Sequence, residues 1–189
     1  MNIGLFFGSF NPIHTGHLII ANHIATGENI DKVWFIISPQ NPLKKQGSLL
    51  NEYHRKHLVD IAIDGENNLQ SSGIEFSMPK PSYTIDTLMY LTEKYPEHKF
   101  QLIIGSDSYR NLDKWKNHKL ILENYGVLIY NRPDYKIETL LHKNVRQINA
   151  PLLEISSTNI RSRIKSNLSI RYLVPDVVKE EIDRNHYYR

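Results

Sequence analysis

Two histidines stand three residues apart in the segment GSFNPIHTGH, which spans residues 8–17. The segment follows a short apolar run, breaks at glycine and proline, and leads into a second apolar run. His14 and His17 are therefore expected near the N-terminus of a helix, where backbone N–H groups favour negative charge. Both imidazoles can donate hydrogen bonds to phosphate oxygens. We interpret the segment as a phosphate-binding loop, in which Gly8 lets the backbone turn sharply and approach a ligand closely.

Two other interpretations of the histidine pair stay open. Many histidine pairs are simply loop residues that face solvent. Zinc binding is disfavoured because the sequence has no cysteine, and because His23 lies six residues beyond His17, on another face of the helix. We expect His23 to be structural or solvent-facing. The segment is neither GxGxxG nor GxxxxGKS, so the dinucleotide fingerprint and the P-loop do not apply.

A second polar cluster has the sequence SSTNIR at residues 156–161. It places two serines and a threonine at a predicted helix start, with an arginine about one turn later. Hydroxyl side chains at such a position commonly cap the helix. The same arrangement also offers hydroxyls, backbone N–H groups and a guanidinium to a triphosphate. The cluster is therefore consistent with a helix cap and with a phosphate site.

Strand-like and helix-like segments alternate along the chain. Short β-branched or aromatic runs predict buried strands over residues 2–7, 32–38, 99–105 and 126–130. Helical patterns cover residues 16–26, 51–63, 82–95 and 112–125, the last with a break at Trp115 and Lys116. This alternation predicts an α/β fold, a Rossmann-like doubly wound parallel sheet with a small C-terminal helical segment. Such sheets bind ligands at the carboxyl ends of their strands.

Composition narrows the class of protein. The 189 residues suit a single domain over residues 1–189, and the absence of cysteine excludes disulfide frameworks and thiolate metal sites. We find no signal-peptide pattern and no apolar run near the ~18 residues that span a bilayer, so we expect a cytoplasmic protein without a membrane partner. The net charge is only +3, which does not favour nonspecific binding to nucleic acid. A small anionic partner fits this charge better.

The two polar clusters together resemble the motifs GxFxPxHxGH and SSTxIR of the HxGH nucleotidyltransferase superfamily. Five further segments resemble the nicotinate mononucleotide adenylyltransferase family, and they are NPLK, PSYTIDTL, IIGSDSYRNLDKW, NRP and YLVPDVVKEEI. The resemblance thus covers nearly the whole chain. It has three departures, because Phe7, Asn11 and Leu43 stand where many members have glycine, aspartate and histidine.

This resemblance implies adenylyl transfer from ATP to nicotinate mononucleotide, which yields nicotinic acid adenine dinucleotide and pyrophosphate in NAD biosynthesis. It implies catalytic roles at the ATP phosphates for His14, His17 and Arg161, with Mg²⁺ bridging phosphate oxygens. Asp107 would lie near a ribose or the metal. The remaining residues implied in nucleotide binding are Gly8, Ser9, Phe10, Gly105, Ser156, Ser157 and Thr158.

For the second substrate the resemblance implies Asn41, Lys44, Thr84, Trp115, Lys116 and Arg132. Lys44 and Arg132 are cations on ligand-side loops, assigned to the mononucleotide phosphate, although a solvated surface charge is about as common at such positions. Thr84 and Trp115 would receive the pyridine ring. A tryptophan in such a segment is as often a packing anchor as a ligand platform.

Other classes of protein stay open at this point. Phosphopantetheine adenylyltransferases and small cytidylyltransferases share the loop pair, although PSYTIDTL and LDKW favour the nicotinate family. A noncatalytic ATP-binding module is also open, although the full set of phosphate-facing residues argues against it. A class I aminoacyl-tRNA synthetase fragment is disfavoured because the chain lacks a KMSKS-like segment. The sequence leaves the oligomeric state open, with a homo-oligomer among the options.

Overall fold

A parallel sheet of six strands organises the chain in the computed structural model, which describes residues 1–39 and 49–189. The strands are β1 (Asn2–Gly8), β2 (Lys32–Ile37), β3 (Leu69–Ser72), β4 (Lys99–Gly105), β5 (Gly126–Tyr130) and β6 (Val145–Ile148). Their order is β3-β2-β1-β4-β5-β6, and every neighbouring pair is parallel. The predicted doubly wound parallel sheet is confirmed.

In the described part of the chain, seven α-helices connect and follow these strands. They are α1 (Thr15–Gly27), α2 (Glu52–Ala62), α3 (Thr84–Lys94), α4 (Ser106–Tyr109), α5 (His118–Asn124), α6 (Ser157–Lys165) and α7 (Asp176–Arg184). The break expected at Trp115 and Lys116 is confirmed. A 3₁₀ turn over Leu112–Lys114 ends just before these two residues, and α5 begins at His118. Within the described residues no helix is long and apolar enough to span a bilayer.

The sequence did not predict the two edge strands. β3 has the sequence LQSS and β6 has VRQI, so neither shows the continuous apolar run of a central strand. An edge strand needs less apolar surface because it pairs with one neighbour only. Their pairing to β2 and β5 follows from the sheet as a whole rather than from local pattern.

Hydrophobic clusters fill both faces of the sheet. One cluster packs residues of α1, α2, α6 and α7, among them Ile24, Leu58 and Val178, against the sheet. The other packs α3 and α5, through residues such as Leu88 and Ile121, against the opposite face. The predicted C-terminal helical segment therefore adds to one of the two layers.

The strand order reverses direction between β1 and β4. The chain proceeds outward from β1 to β2 and β3, then returns to place β4 on the other side of β1. Connections leaving the carboxyl ends of these two strands diverge, and the crevice between them is where doubly wound sheets bind ligands. Gly8 ends β1 and Gly105 ends β4 at this crevice.

Candidate active site

His14 and His17 cap helix α1 reciprocally. His14 is the N-cap residue, and its Nδ1 accepts a hydrogen bond from the backbone N–H of His17 at 3.3 Å. In turn the His17 Nδ1 accepts from the backbone N–H of His14, also at 3.3 Å. The two rings stack with centroids 3.6 Å apart. The capping box that serine and glutamate usually form is built here from two imidazoles.

This capping fixes the tautomer of both neutral rings. A ring whose Nδ1 accepts a hydrogen bond carries its proton on Nε2, which is then a donor. His14 is 2% exposed, and burial together with the positive charge of Arg132 lowers its pKa to about 3. His14 is therefore a neutral hydrogen-bond donor at physiological pH rather than a cation.

The loop between β1 and α1 turns at Phe10, not at Gly8 as the sequence suggested. Phe10 has a φ of 42°, in the left-handed region, whereas Gly8 does not have a positive φ. A Cβ on Gly8 would lie 2.8 Å from the Phe10 ring, so Gly8 is needed to make room for that ring. The ring is buried and packs edge-on against His17 at 5.1 Å. Phe10 can therefore line a nucleotide only through its main chain.

Helix α6 is attached to the histidine loop by two long-range hydrogen bonds. The Ser157 hydroxyl donates to the Pro12 carbonyl at 2.9 Å, and the Arg161 Nη1 donates to the Asn11 carbonyl at 2.8 Å. Ser157 thus uses its one hydroxyl proton to join the segments rather than to reach a ligand. Both polar clusters found in the sequence meet at one place.

The start of α6 combines a helix cap with donors. Ser156 is the N-cap, and its Oγ accepts from the Asn159 backbone N–H at 3.2 Å, which confirms the predicted cap. Arg161 also donates to the Thr158 hydroxyl at 3.3 Å. Ser156 and Thr158 are exposed, so both hydroxyls are accessible to a ligand.

Arg132, Asp107 and Gly105 lie at the carboxyl ends of β4 and β5. The Arg132 backbone N–H donates to the Ser106 hydroxyl at 2.9 Å, and its Nη2 donates to the Tyr130 hydroxyl at 3.2 Å. Its Nε lies 3.9 Å from an Asp107 carboxylate oxygen. A Cβ on Gly105 would collide with that carboxylate, so glycine allows this packing. The charge of Arg132 adds to the effect of burial in lowering the pKa of His14.

A cavity of about 360 Å³ opens at the crevice between β1 and β4. Predicted site residues that line it are Gly8, Thr84, Gly105, Trp115 and Lys116, and further lining residues include Ser38, Glu75, Ser82, Tyr83 and Tyr130. Asn41 and Lys44, also predicted for this site, lie outside the described residues.

The side chain of Lys116 is engaged by helix α3. Its Nζ lies 2.9 Å from an Asp86 carboxylate oxygen and 4.8 Å from the centre of the Tyr83 ring. This leaves the main chain as the part of Lys116 that is best placed for a ligand in the cavity.

The chain is similar in sequence to known proteins. The family model described as cytidylyltransferase-like matches residues 5–163. A protein from Cytophaga hutchinsonii named "Probable nicotinate-nucleotide adenylyltransferase" is 54% identical over 189 residues, which are 100% of this chain and 98% of the relative. A protein of the same name from Flavobacterium johnsoniae is 46% identical over the full length of both chains. The chain belongs to the nicotinate-nucleotide adenylyltransferase family.

Solved structures agree with this fold. A Plasmodium falciparum nicotinic acid mononucleotide adenylyltransferase complexed with NaAD matches with a TM-score of 0.86 at 24% identity, over 99% of this chain and 97% of that one. A structure named as a nicotinate-nucleotide adenylyltransferase from Vibrio parahaemolyticus matches with a TM-score of 0.74 at 23% identity. The resemblance read from the sequence is confirmed, and the chain is an enzyme of the nucleotidyltransferase class.

Arg55 is a residue of this nicotinate-nucleotide adenylyltransferase site that the sequence reasoning missed. Its side chain is fully buried on α2, and its guanidinium donates to the carbonyls of Leu50, Ser9, Ser38 and Pro39. It thereby joins the loop between β1 and α1 to the segments on either side of residues 40–48. Burial lowers the pKa of Arg55 from its usual value. The available signal was an arginine on the apolar stripe of a helix, three and four residues before a leucine and a valine.

Asn11, one of the three departures, also anchors a chain segment in this enzyme. Its side-chain Oδ1 accepts a hydrogen bond from the Leu50 backbone N–H at 3.2 Å. An amide oxygen, like a carboxylate oxygen, can accept this hydrogen bond. The second missed residue, Glu75, is fully buried against the cavity, and no local pattern in its short 3₁₀ segment pointed to it.

Proposed function

We propose that this enzyme transfers the adenylyl group of ATP to nicotinate mononucleotide, giving nicotinic acid adenine dinucleotide and pyrophosphate. The observation that carries the proposal is the meeting of two sites at the carboxyl ends of β1 and β4. One is the His14–His17 cap with α6 attached to it, and the other is the cavity lined by Thr84 and Trp115. The names of the relatives and the ligand of the Plasmodium neighbour support the same substrates.

The reaction needs no protein nucleophile. A phosphate oxygen of the mononucleotide attacks the α-phosphorus of ATP, a new P–O bond forms, and the bond to the bridging oxygen of the β-phosphate breaks. Pyrophosphate leaves with the electron pair of that bond. Catalysis then consists of positioning the two substrates and stabilising the charge that shifts between their oxygens.

The histidine pair and Arg161 are proposed to hold the ATP phosphates. Both Nε2 atoms are donors because both Nδ1 atoms accept backbone N–H groups. Arg161 adds a guanidinium, and Ser156 and Thr158 add hydroxyls at the start of α6. These donors are held by a cap, a stack and two cross-links, so little reorganisation is needed when charge moves toward the leaving pyrophosphate.

Arg132 is proposed to bind the mononucleotide phosphate. Its charge contributes to the lowered pKa of His14, and its guanidinium donates to Tyr130, which lines the cavity. Lys44 is proposed to assist from the loop outside the described residues, as is Asn41. A cation at this position neutralises one of two phosphate groups that must approach each other closely.

The nicotinate ring is proposed to lie in the cavity against Trp115. The first turn of α3 begins beside it at Thr84, and no side chain of the described residues caps this helix start. Its backbone N–H groups, with that of Lys116, can pair with the nicotinate carboxylate. A nicotinamide group would leave its NH₂ facing donors, and an unsatisfied buried polar group costs roughly 1 to 3 kcal/mol. The site therefore favours the acid over the amide.

Mg²⁺ is proposed to arrive with ATP. Such an ion keeps most of its ligands as water and phosphate oxygens, and neutralises charge on the phosphates. The half-exposed carboxylate of Asp107 at the end of β4 fits a single protein contact to it. Within residues 1–39 and 49–189, no group of three histidine or acidic side chains is placed to hold a metal ion.

We further propose that residues 1–189 act as one domain, which the continuous sheet supports. The cytoplasmic location, the oligomeric state and the lack of a nucleic-acid partner stay predictions.

An acceptor panel tests the proposed function. Purified protein is incubated with ATP and Mg²⁺ and, in separate reactions, with nicotinate mononucleotide, nicotinamide mononucleotide and phosphopantetheine, and the adenylylated products are quantified. A parallel reaction replaces ATP with CTP. We expect nicotinic acid adenine dinucleotide as the main product, formed at least about tenfold faster than the amide product. Equal rates with both mononucleotides would refute the nicotinate assignment.

A further inference from the structure

Glu75 is the one buried carboxyl group among the described residues. It is 2% exposed, lies in the 3₁₀ turn Ile74–Ser77, and lines the cavity between β1 and β4. Burial raises the pKa of Glu75 above its usual value. Burying a carboxyl group costs free energy unless protein groups replace its hydrogen bonds to water. Its hydrogen-bond partners therefore decide whether the arrangement is stable.

Hydroxyl groups on two sides of the cavity satisfy this carboxyl group. Its Oε2 accepts from the Ser82 hydroxyl at 2.9 Å, and its Oε1 accepts from the Thr87 hydroxyl at 2.8 Å. The Ser38 hydroxyl, which follows β2, also donates to it. Glu75 therefore connects the end of β2 with two points on the segment that forms the start of α3.

Those two points bracket the first turn of α3. Ser82 precedes the N-cap residue Tyr83, and Thr87 follows at the end of the first turn. Tyr83 and Thr84, which lie between them, line the cavity. Since no described side chain caps this helix start, the orientation of its backbone N–H groups depends on the contacts at either end of the turn.

We infer that Glu75 is a positioning residue, which fixes the first turn of α3 so that its backbone N–H groups meet the mononucleotide. The inference rests on the proposed function. Glu75 acts through Ser82 and Thr87 and not by touching the substrate carboxylate, because two carboxylates in contact would repel each other. The Ser82 and Thr87 hydroxyls already occupy one carboxylate oxygen of Glu75 each.

Substitutions at both ends of these hydrogen bonds test the inference. Glu75→Ala removes the acceptor, Glu75→Gln keeps an oxygen and an NH₂ that can pair with the same hydroxyls, and Thr87→Val removes one hydroxyl at nearly constant shape. Thr92→Val is the matched control, because the Thr92 hydroxyl lies on the same helix but donates to the Leu88 carbonyl at 2.9 Å. Steady-state kinetics with each substrate varied, and with both mononucleotides, gives the readout.

Glu75→Ala is expected to raise the KM for nicotinate mononucleotide on the order of tenfold and to reduce the preference for acid over amide, with the KM for ATP within about twofold. Glu75→Gln and Thr87→Val should show smaller changes of the same kind, and Thr92→Val none. An unchanged mononucleotide KM in Glu75→Ala, or an equal rise of both KM values, would overturn the inference.

Hydrogen exchange separates this inference from the proposed function. In Glu75→Ala we expect faster exchange over residues 82–87, with strands β1 and β4 unaffected. If the wild-type enzyme lacked turnover, the proposed function would fail, and exchange would still decide the role of Glu75. Unchanged exchange over residues 82–87 in the alanine variant would contradict that role.

Discussion

His14 and His17 hold each other in place, because each ring accepts the backbone N–H of the other residue and the two rings stack at 3.6 Å. One pair of side chains thereby starts helix α1, fixes two tautomers and presents two donors at the same edge of the sheet. Structure and chemistry depend on the same hydrogen bonds, so several consequences can be measured separately.

Replacement of His17 by alanine should reduce turnover strongly. The change removes a donor aimed at charge that shifts in the transition state, and such donors contribute on the order of 10² to 10³ in kcat. Initial rates at saturating substrates give the value, and a thermal melt confirms that the variant is folded. His23→Ala is the control, because His23 is on α1 beyond the capped turn, and it should lose little activity. Near-normal turnover in a folded His17→Ala enzyme would rule out the proposed role.

His14 should make the enzyme less stable in mild acid. Its pKa is 6.5 in the unfolded chain and about 3 in the fold. Between these values the unfolded state binds the additional proton, so the free energy of unfolding falls as the pH drops below 6.5, by up to about 1.4 kcal/mol per pH unit.

His14→Asn provides the comparison, because asparagine can cap the helix but does not titrate. Urea unfolding at pH 7 and pH 5 should show a loss of about 2 kcal/mol more in the wild type than in the variant. Glu75 acts in the opposite direction, since burial raises its pKa, but its contribution is common to both proteins and cancels. Parallel pH dependence of the two proteins would mean that the fold does not lower the pKa of His14.

Arg161 and Arg132 should affect different substrates. Arg161 is attached to the histidine loop through the Asn11 carbonyl, whereas Arg132 contacts Tyr130 at the wall of the cavity. We expect Arg161→Ala to damage mainly the use of ATP, and Arg132→Ala mainly the use of the mononucleotide, each by about tenfold or more in kcat/KM. Kinetics with one substrate varied at a time measures this. A rise of the same KM in both variants would show that the division of the site is wrong.

Trp115 should contribute affinity but little selectivity. Its side chain is half-buried between the cavity and the cluster that includes Leu112 and Ile121, so it packs and is also available to a ring. Trp115→Ala is expected to weaken mononucleotide binding by roughly tenfold, the effect of losing one aromatic contact and its buried area. The ratio of rates with acid and amide should change little. If Trp115→Ala lost the preference for the acid over the amide, the tryptophan ring, and not the backbone of Thr84 and Lys116, would distinguish the two mononucleotides.

Much of this fold could be predicted because the central strands are apolar. The helices also show apolar residues at helical spacing and capping residues at their starts. The break at Trp115 and Lys116 and the helix cap at Ser156 are both local features, and the structure has each of them. The edge strands β3 and β6 could not be found this way. Their residues are mostly polar, and their pairing depends on strands far away in the chain.

Within the site, residue type was predictable and connectivity was not. The histidines and Arg161 were singled out because their chemistry suits phosphate. Ser157 donates to the Pro12 carbonyl, and Phe10 rather than Gly8 forms the turn. Both features depend on contacts across the folded chain. Arg55 and Glu75 were missed for the same reason, because a buried charged group is recognised by its partners and both sets of partners are distant in sequence.

The most direct test of the account follows the α-phosphorus of ATP. The wild-type enzyme is given nicotinate mononucleotide, Mg²⁺ and ATP labelled either at the α- or at the γ-phosphorus, and the products are separated and counted. If adenylyl transfer is correct, the α label enters nicotinic acid adenine dinucleotide and the γ label enters pyrophosphate, in equal amounts and only when the mononucleotide is present. Pyrophosphate release without the mononucleotide, or α label that fails to enter the dinucleotide, would contradict it.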